Sequence, residues 1–294
     1  MKPIEFDAPT SLQDALRLLG LDPGQVGLLS GGTDMIIQWR AGRRDLSRMV
    51  DLKHIPELNV LQFDKAKGLR LGAAVPCATL GAFLPARQHY PGLVEGAELI
   101  GSMQIQSRAS VGGNVCNGSP AADSICALIV LGATALVQGP KGSRELPAAQ
   151  IMTGPGKTAL QPGEILVEFR VPPPAAKSSS AYLRFIPRNE MDIAVAGAAA
   201  ALTLGTDGKT VNHAAIAIGA VGPTPIVVQA AANALIGKRI DDSALAAAEA
   251  AASAAAKPIS DVRGPAEYRR HLAGVLTRRT IEIAARRARG EESL

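Results

Sequence analysis

Apolar residues fall at helical spacing first at Leu12, Ala15, Leu16 and Leu19, behind Thr10 and Ser11. Thr10 with Gln13 three residues later reads as a capping box and Gly20 as a stop, so an amphipathic helix is predicted. Gln25-Val26-Gly27-Leu28-Leu29 then reads as a short buried strand, and Met35 to Ala41 as a helix. Between them lies Ser30-Gly31-Gly32-Thr33-Asp34, a glycine turn joining strand to helix start, which is the geometry of an anion site. Met49 to Leu52 and Leu69 to Val75 are further strand candidates, and a helix is expected from near Thr79. A second glycine segment, Ser110-Val111-Gly112-Gly113-Asn114, precedes Ser124 to Leu131, an almost wholly apolar stretch that must be buried. Asp123 stands at its entrance, where an acidic residue reads first as a helix cap.

Three prolines and three serines between Val171 and Ser180 cannot continue a sheet or fill a core, so a boundary is placed there. Beyond it, Ile193 to Leu204 and Val211 to Val221 flank Gly205-Thr206-Asp207-Gly208-Lys209, a hairpin signature. Helices are predicted over about Ile226 to Ile236, Ser243 to Ala256 and Pro265 to Arg289. In the last, Tyr268, Leu272, Val275, Leu276 and Ile283 form one stripe with arginines opposite. The layout is α+β, with a first domain over residues 1–177, divided into lobes at about 1–55 and 56–177, and a second over 178–294.

Composition narrows the function. Hydrophobic residues at 47% and charged residues at 19% describe a folded chain, and aromatic content of 3% leaves few rings to stack on nucleic-acid bases. The net charge of +5 is modest and gathers in the last helix, a solvated face or subunit contact with no nucleic acid as partner. Cys77, Cys116 and Cys126 form no C-x-x-C pair and fall short of the four thiolates of an iron–sulfur cluster. Neither a signal core nor an uninterrupted apolar run long enough for a membrane span is present, so no membrane insertion and a cytoplasmic location are expected.

The candidate chemistry is carried by the two glycine segments. Glycines admit φ > 0 and let successive N–H groups line one concave surface, which holds phosphate without a local Lys or Arg; a pair of such segments suits a diphosphate. Gly154-Pro155-Gly156-Lys157-Thr158 imitates a P-loop ending, but Ile151 occupies the first glycine position and Pro155 removes an N–H from the cradle. The four histidines are scattered without ligand spacing, and no G-x-S-x-G seats a nucleophile. No metal site and no catalytic residue are assigned.

Taken together, Leu28 to Asp34, Ala109 to Asn114, Ser119 to Asp123, Thr153 to Thr158 with Pro162 to Leu166, Met191 to Ala194 and Arg263 to Arg269 resemble the FAD-binding medium subunit of the molybdenum hydroxylases, the xanthine dehydrogenase and carbon monoxide dehydrogenase family. The resemblance spans nearly the whole chain. It implies a two-lobed FAD-binding domain of the vanillyl alcohol oxidase type, followed by a smaller antiparallel sheet with helices. It further implies that Leu28, Leu29, Ser30, Gly31, Gly32, Thr33 and Asp34, with Ser110, Val111, Gly112, Gly113 and Asn114, approach the FAD pyrophosphate. Asp34 itself, which would repel phosphate, is expected to cap the helix from Met35. Asp123 matches the acidic residue near the ribityl or ribose hydroxyls, Ile100 and Leu166 match apolar lining positions, Ile193 falls beside the flavin ring, and Arg184 stands where relatives often place Lys. Pro155 and Gln106 depart from the family, which often has an aromatic and an Arg there. Partners implied are a large molybdopterin subunit and a small subunit with 2Fe-2S clusters, assembled as a dimer of heterotrimers, with this chain passing electrons through FAD to an external acceptor. The competing reading is a non-redox nucleotide-binding structural or regulatory subunit.

Overall fold

A computed structural model describes residues 3–22 and 24–291. The chain begins with β1 (Glu5–Asp7), α1 (Leu12–Leu19), β2 (Val26–Leu29), α2 (Met35–Arg40) and β3 (Arg48–Asp51). The three strands form a parallel sheet in the order β1-β3-β2, with Phe6 opposite Met49 and Leu28 opposite Val50. The α1 cap sits one residue later than the sequence suggested. Ser11, not Thr10, has the extended backbone of a cap, its Oγ accepting from the Asp14 amide at 3.1 Å and donating to the Asp14 carboxylate at 2.7 Å. The partner of the cap is therefore Asp14 and not Gln13.

Next come a 3-10 turn at Pro56–Asn59, β4 (Leu61–Asp64), β5 (Gly68–Gly72), α3 (Cys77–Ala82), α4 (Leu84–His89), α5 (Pro91–Glu98), α6 (Met103–Gln106), α7 (Val111–Cys116) and α8 (Asp123–Val130). Strands β6 (Thr134–Gly139), β7 (Gly142–Pro147), β8 (Met152–Gly154), β9 (Lys157–Thr158) and β10 (Ile165–Val171) complete this part. A five-stranded antiparallel sheet has the order β4-β5-β10-β6-β7, so the late strand β10 inserts between β5 and β6. The P-loop imitation is the β8–β9 ribbon. Ile125, Leu128, Phe169 and Leu71 are among the fully buried side chains of the core beneath this sheet. The apolar run after Asp123 is thus interior helix, as its composition requires.

Strands β11 (Ser178–Phe185), β12 (Ala196–Leu204), β13 (Val211–Gly219) and β14 (Ile226–Val227) form an antiparallel sheet in sequence order. Helices α9 (Gln229–Leu235) and α11 (Ala266–Arg289) pack on it, and α10 (Asp242–Ala255) packs against both helices. The sequence assigned Ile226 and Val227 to a helix. They are instead extended, Ile226 opposite Ile218 and Val227 opposite Ala217; β-branched side chains favour this pairing, and the helix waits for the alanines that follow. Helix α11 also departs from the two-sided expectation: Tyr268 is 40% exposed, while Arg269 is 4% exposed and sits in the interior. Its guanidinium lies 3.3 Å from the Val195 carbonyl and also pairs with Asp261, which is what makes its burial tolerable. No helix among the described residues is long and apolar enough to cross a membrane.

Candidate functional site

The first glycine segment leaves the end of β2 as an irregular loop and runs into α2. Gly32 has φ +77°, a conformation that glycine enters without strain. Gly31 answers to space: a Cβ there would stand 2.0 Å from the Arg108 carbonyl oxygen. The close approach brings this loop against the residues just before the second segment. Among the described residues, the amides of Gly31, Gly32, Thr33, Asp34 and Met35 find no acceptor within the chain. Asp34 occupies the cap position of α2 but its side chain makes no capping bond, contrary to the sequence expectation. Successive unpaired donors on an irregular loop form an anion-binding concavity.

The second segment is built differently. Ser110 is an N-cap, its Oγ accepting from the Gly113 amide at 3.0 Å, and Val111 to Cys116 are helical. Gly112 and Gly113 therefore do not use the φ > 0 freedom expected of a turn. A Cβ on Gly112 would meet the Ala73 carbonyl oxygen at 2.4 Å, so this glycine lets α7 sit on the chain beyond β5. At Gly113 the same atom would meet Ser110 Oγ at 3.1 Å and then Ser30 Cβ at 3.9 Å. Across the gap, Ser30 Oγ and Ser110 Oγ share a hydrogen bond of 2.9 Å. The two segments are thus joined, and Gln38 Nε2 donating to Asn117 Oδ1 at 2.9 Å closes a second link between α2 and the end of α7.

Asn114 extends the site. Its Oδ1 accepts from Ser124 Oγ at 2.7 Å and from the Ser124 amide at 3.3 Å, tying α7 to the start of α8. Asp123, beside it, caps nothing: the cap position belongs to Ala122. The Asp123 carboxylate instead takes Arg184 Nη1 at 2.7 Å on one oxygen and the Tyr182 hydroxyl at 3.0 Å on the other. Burial pushes the Asp123 carboxyl up to about 6, with Arg184 and the Tyr182 hydroxyl opposing the shift. Arg184 Nε is buried without a partner. Tyr182 was not foreseen, although alternation along a strand places residues 182 and 184 on one face of β11.

Of the remaining candidates, Ile100 and Leu166 lie in the core that also holds Val111 and Val115. Leu29 is buried and Leu28 half-buried at the end of β2. Ile193 is 53% exposed in the segment before β12, next to Asp192, whose carboxylate faces Arg188 at 3.5 Å and Arg263 at 3.3 Å. The adjoining Met191 has φ +56°, and its amide donates to the Gly101 carbonyl at 3.4 Å, beside Ile100. Among the described residues, no hydrogen bond joins Ile193 to the glycine segments; its amide donates to Asp192 Oδ1 at 2.8 Å.

Loop amides without acceptors among the described residues, a serine pair joining the two glycine segments, and the buried Asp123–Arg184 pair next to Ser124 are the features this region brings together. Residues 2–174 match the family model described as the FAD binding domain in molybdopterin dehydrogenase, and residues 181–284 match the CO dehydrogenase flavoprotein C-terminal domain. The chain belongs to this family of molybdopterin dehydrogenase FAD-binding subunits. It is 33% identical over 97% of both chains to the putative xanthine dehydrogenase FAD-binding subunit of Escherichia coli. To the carbon monoxide dehydrogenase medium chain of Afipia carboxidovorans it is 36% identical, over 97% of this chain and 98% of the relative. The carbon monoxide dehydrogenase structure from Hydrogenophaga pseudoflava superposes with a TM-score of 0.92 at 32% identity, covering 98% of this chain and 99% of that one.

Proposed function

We propose that the chain is the flavoprotein subunit of a molybdenum hydroxylase complex, in which it takes electrons from iron–sulfur clusters of a small partner subunit and passes them to an external acceptor. The observation that carries this reading is the joining of the two glycine segments through Ser30 and Ser110 at 2.9 Å, with the loop amides beside them unpaired. The residues present fit FAD: Gly31 to Met35 would offer N–H donors to the diphosphate, with Thr33, Ser110 and Asn114 adding side-chain polarity, Gly113 leaving room for it, and Leu28, Leu29, Gly32, Asp34, Val111 and Gly112 shaping the walls. Asp123 would meet cofactor hydroxyls, Arg184 would place a cation near the cofactor, and Ile100, Leu166 and Ile193 would supply apolar lining. When bound, FAD supplies interconversion of single-electron and two-electron transfer.

In this reading residues 1–177 hold the cofactor and residues 178–294 form a second domain whose Tyr182 and Arg184 bolt onto Asp123. The complex contains a large molybdopterin subunit and works in the cytoplasm as a dimer of heterotrimers. Purification with the accompanying chains tests it. A yellow complex that releases FAD on denaturation and reduces an artificial acceptor is expected. A colourless, folded protein that takes up no added FAD would favour a nucleotide-binding subunit without redox turnover, or no nucleotide site at all.

A further inference from the structure

Lys53 lies behind the first glycine segment, outside every residue so far placed in the cofactor site. Its Nζ donates to the Ser30 carbonyl at 3.2 Å and is held against Asp51 Oδ1 at 2.5 Å. Asp51 is 6% exposed at the end of β3, where it pairs with Leu29, the residue immediately before Ser30. The same Oδ1 accepts from the Lys53 amide at 3.0 Å, and the Lys53 carbonyl accepts from Asn59 Nδ2 at 3.0 Å. The ammonium is therefore fixed in place from both its backbone and its side chain.

The geometry points to Lys53 as a positioning residue for the diphosphate, acting through the Ser30–Gly31 peptide. In a trans peptide the carbonyl and the N–H point in opposite directions. A cation that draws the Ser30 carbonyl toward β3 thereby aims the Gly31 N–H away from β3, and that amide has no acceptor among the described residues. The same contact polarises the peptide and makes its N–H a stronger donor, as chained hydrogen bonds do in a low-dielectric setting. Asp51 balances the charge and fixes the ammonium in the position from which it reaches the carbonyl. The inference rests on the proposed FAD site and adds to it a residue that does not itself touch the cofactor.

The test uses the full chain with the chains that accompany it, stripped of flavin and titrated with FAD and, separately, with phosphate-free riboflavin. Lys53→Met is expected to weaken FAD roughly tenfold, the size of one charge-assisted hydrogen bond, while riboflavin affinity stays at the wild-type value. Lys53→Arg, which keeps the cation, should recover most of the loss, and Lys53→Gln, a neutral donor, should fall between. Thermal unfolding of the flavin-free variants gives the structural control. FAD binding by Lys53→Met equal to wild type, an equal loss for both ligands, or a loss that Lys53→Arg does not recover would overturn the inference. A wild-type protein that fails to bind FAD would instead overturn the proposed site as a whole.

Discussion

Along the loop from Gly31 to Met35 successive amides have no acceptor among the described residues, whereas at Asp123 both carboxylate oxygens are already engaged, one by Arg184 and one by Tyr182. The two ends of one proposed site are thus in opposite states. Unpaired amides at an accessible loop lose only water when an anion arrives, so that end is organised in advance. At the other end, any hydroxyl that reached Asp123 would have to share or replace a partner inside a buried ion pair, which is expensive unless the pair is replaced bond for bond. Binding energy is therefore expected to come mainly from the glycine end, and fold stability mainly from the Asp123 end.

The largest effect on flavin binding should come from Gly31→Ala. A methyl group 2.0 Å from the Arg108 carbonyl oxygen cannot be accommodated without parting the two segments. Flavin content per polypeptide should fall to background, and unfolding by urea should show a loss of up to about 3 kcal/mol, the upper part of the usual cost of overpacking. Gly113→Ala is the contrasting variant, because its Cβ would meet a serine hydroxyl at 3.1 Å and not a backbone carbonyl of the adjoining segment. It should remain folded while holding FAD more weakly. If Gly31→Ala kept its flavin, the joined-segment site would be wrong.

Asp123→Ala acts on stability rather than on flavin content, because it leaves Arg184, a side chain 4% exposed, buried without its counter-ion. Breaking such a pair costs about 3–5 kcal/mol. Replacing both partners, as Asp123→Leu with Arg184→Met, should recover much of that, since no orphan charge remains. A double variant as unstable as the sum of the single ones would show that the pair is not acting as a unit. Acid adds a second handle. The Asp123 carboxyl is raised from its ordinary 3.8 to about 6 by burial, so the folded state binds its proton more tightly than the unfolded state. The proton-linked part of its contribution is full below about pH 3.8 and is lost as pH rises through about 6. The stability difference between wild type and Asp123→Asn should therefore move in favour of wild type as pH falls from 7 to 4, and a flat difference would argue against the shift.

The same contrast explains what the amino-acid sequence discloses. Strand β2, the hairpin of β12 and β13, and helix α8 follow from local periodicity and turn chemistry, because each is decided within a dozen residues. The glycine pairs are also visible locally, but their reasons are not: Gly31 is required by Arg108 and Gly112 by Ala73, contacts between distant parts of the chain. Asp123 reads as a cap because helix starts favour acids, and only the arrival of β11 turns it into the partner of Tyr182 and Arg184. Lys53 is hidden for a related reason. It lies in neither glycine segment and reaches Ser30 only because β2 and β3 are neighbours in the parallel sheet.

The smallest effect expected is that of Ser110→Ala, and it is the most discriminating. The Ser110 hydroxyl serves both arrangements at once, capping α7 through the Gly113 amide at 3.0 Å and meeting Ser30 Oγ at 2.9 Å. Loss of the cap alone costs about 1 kcal/mol. Ser110→Asp would restore a cap acceptor but place a negative charge where the diphosphate is expected, so stability should return while FAD binding falls below that of Ser110→Ala. Urea unfolding and flavin titration on the two variants separate these effects. Equal FAD affinity in Ser110→Ala and Ser110→Asp would mean that no anionic group approaches Ser110, and the diphosphate would have to lie against the Gly31 loop alone.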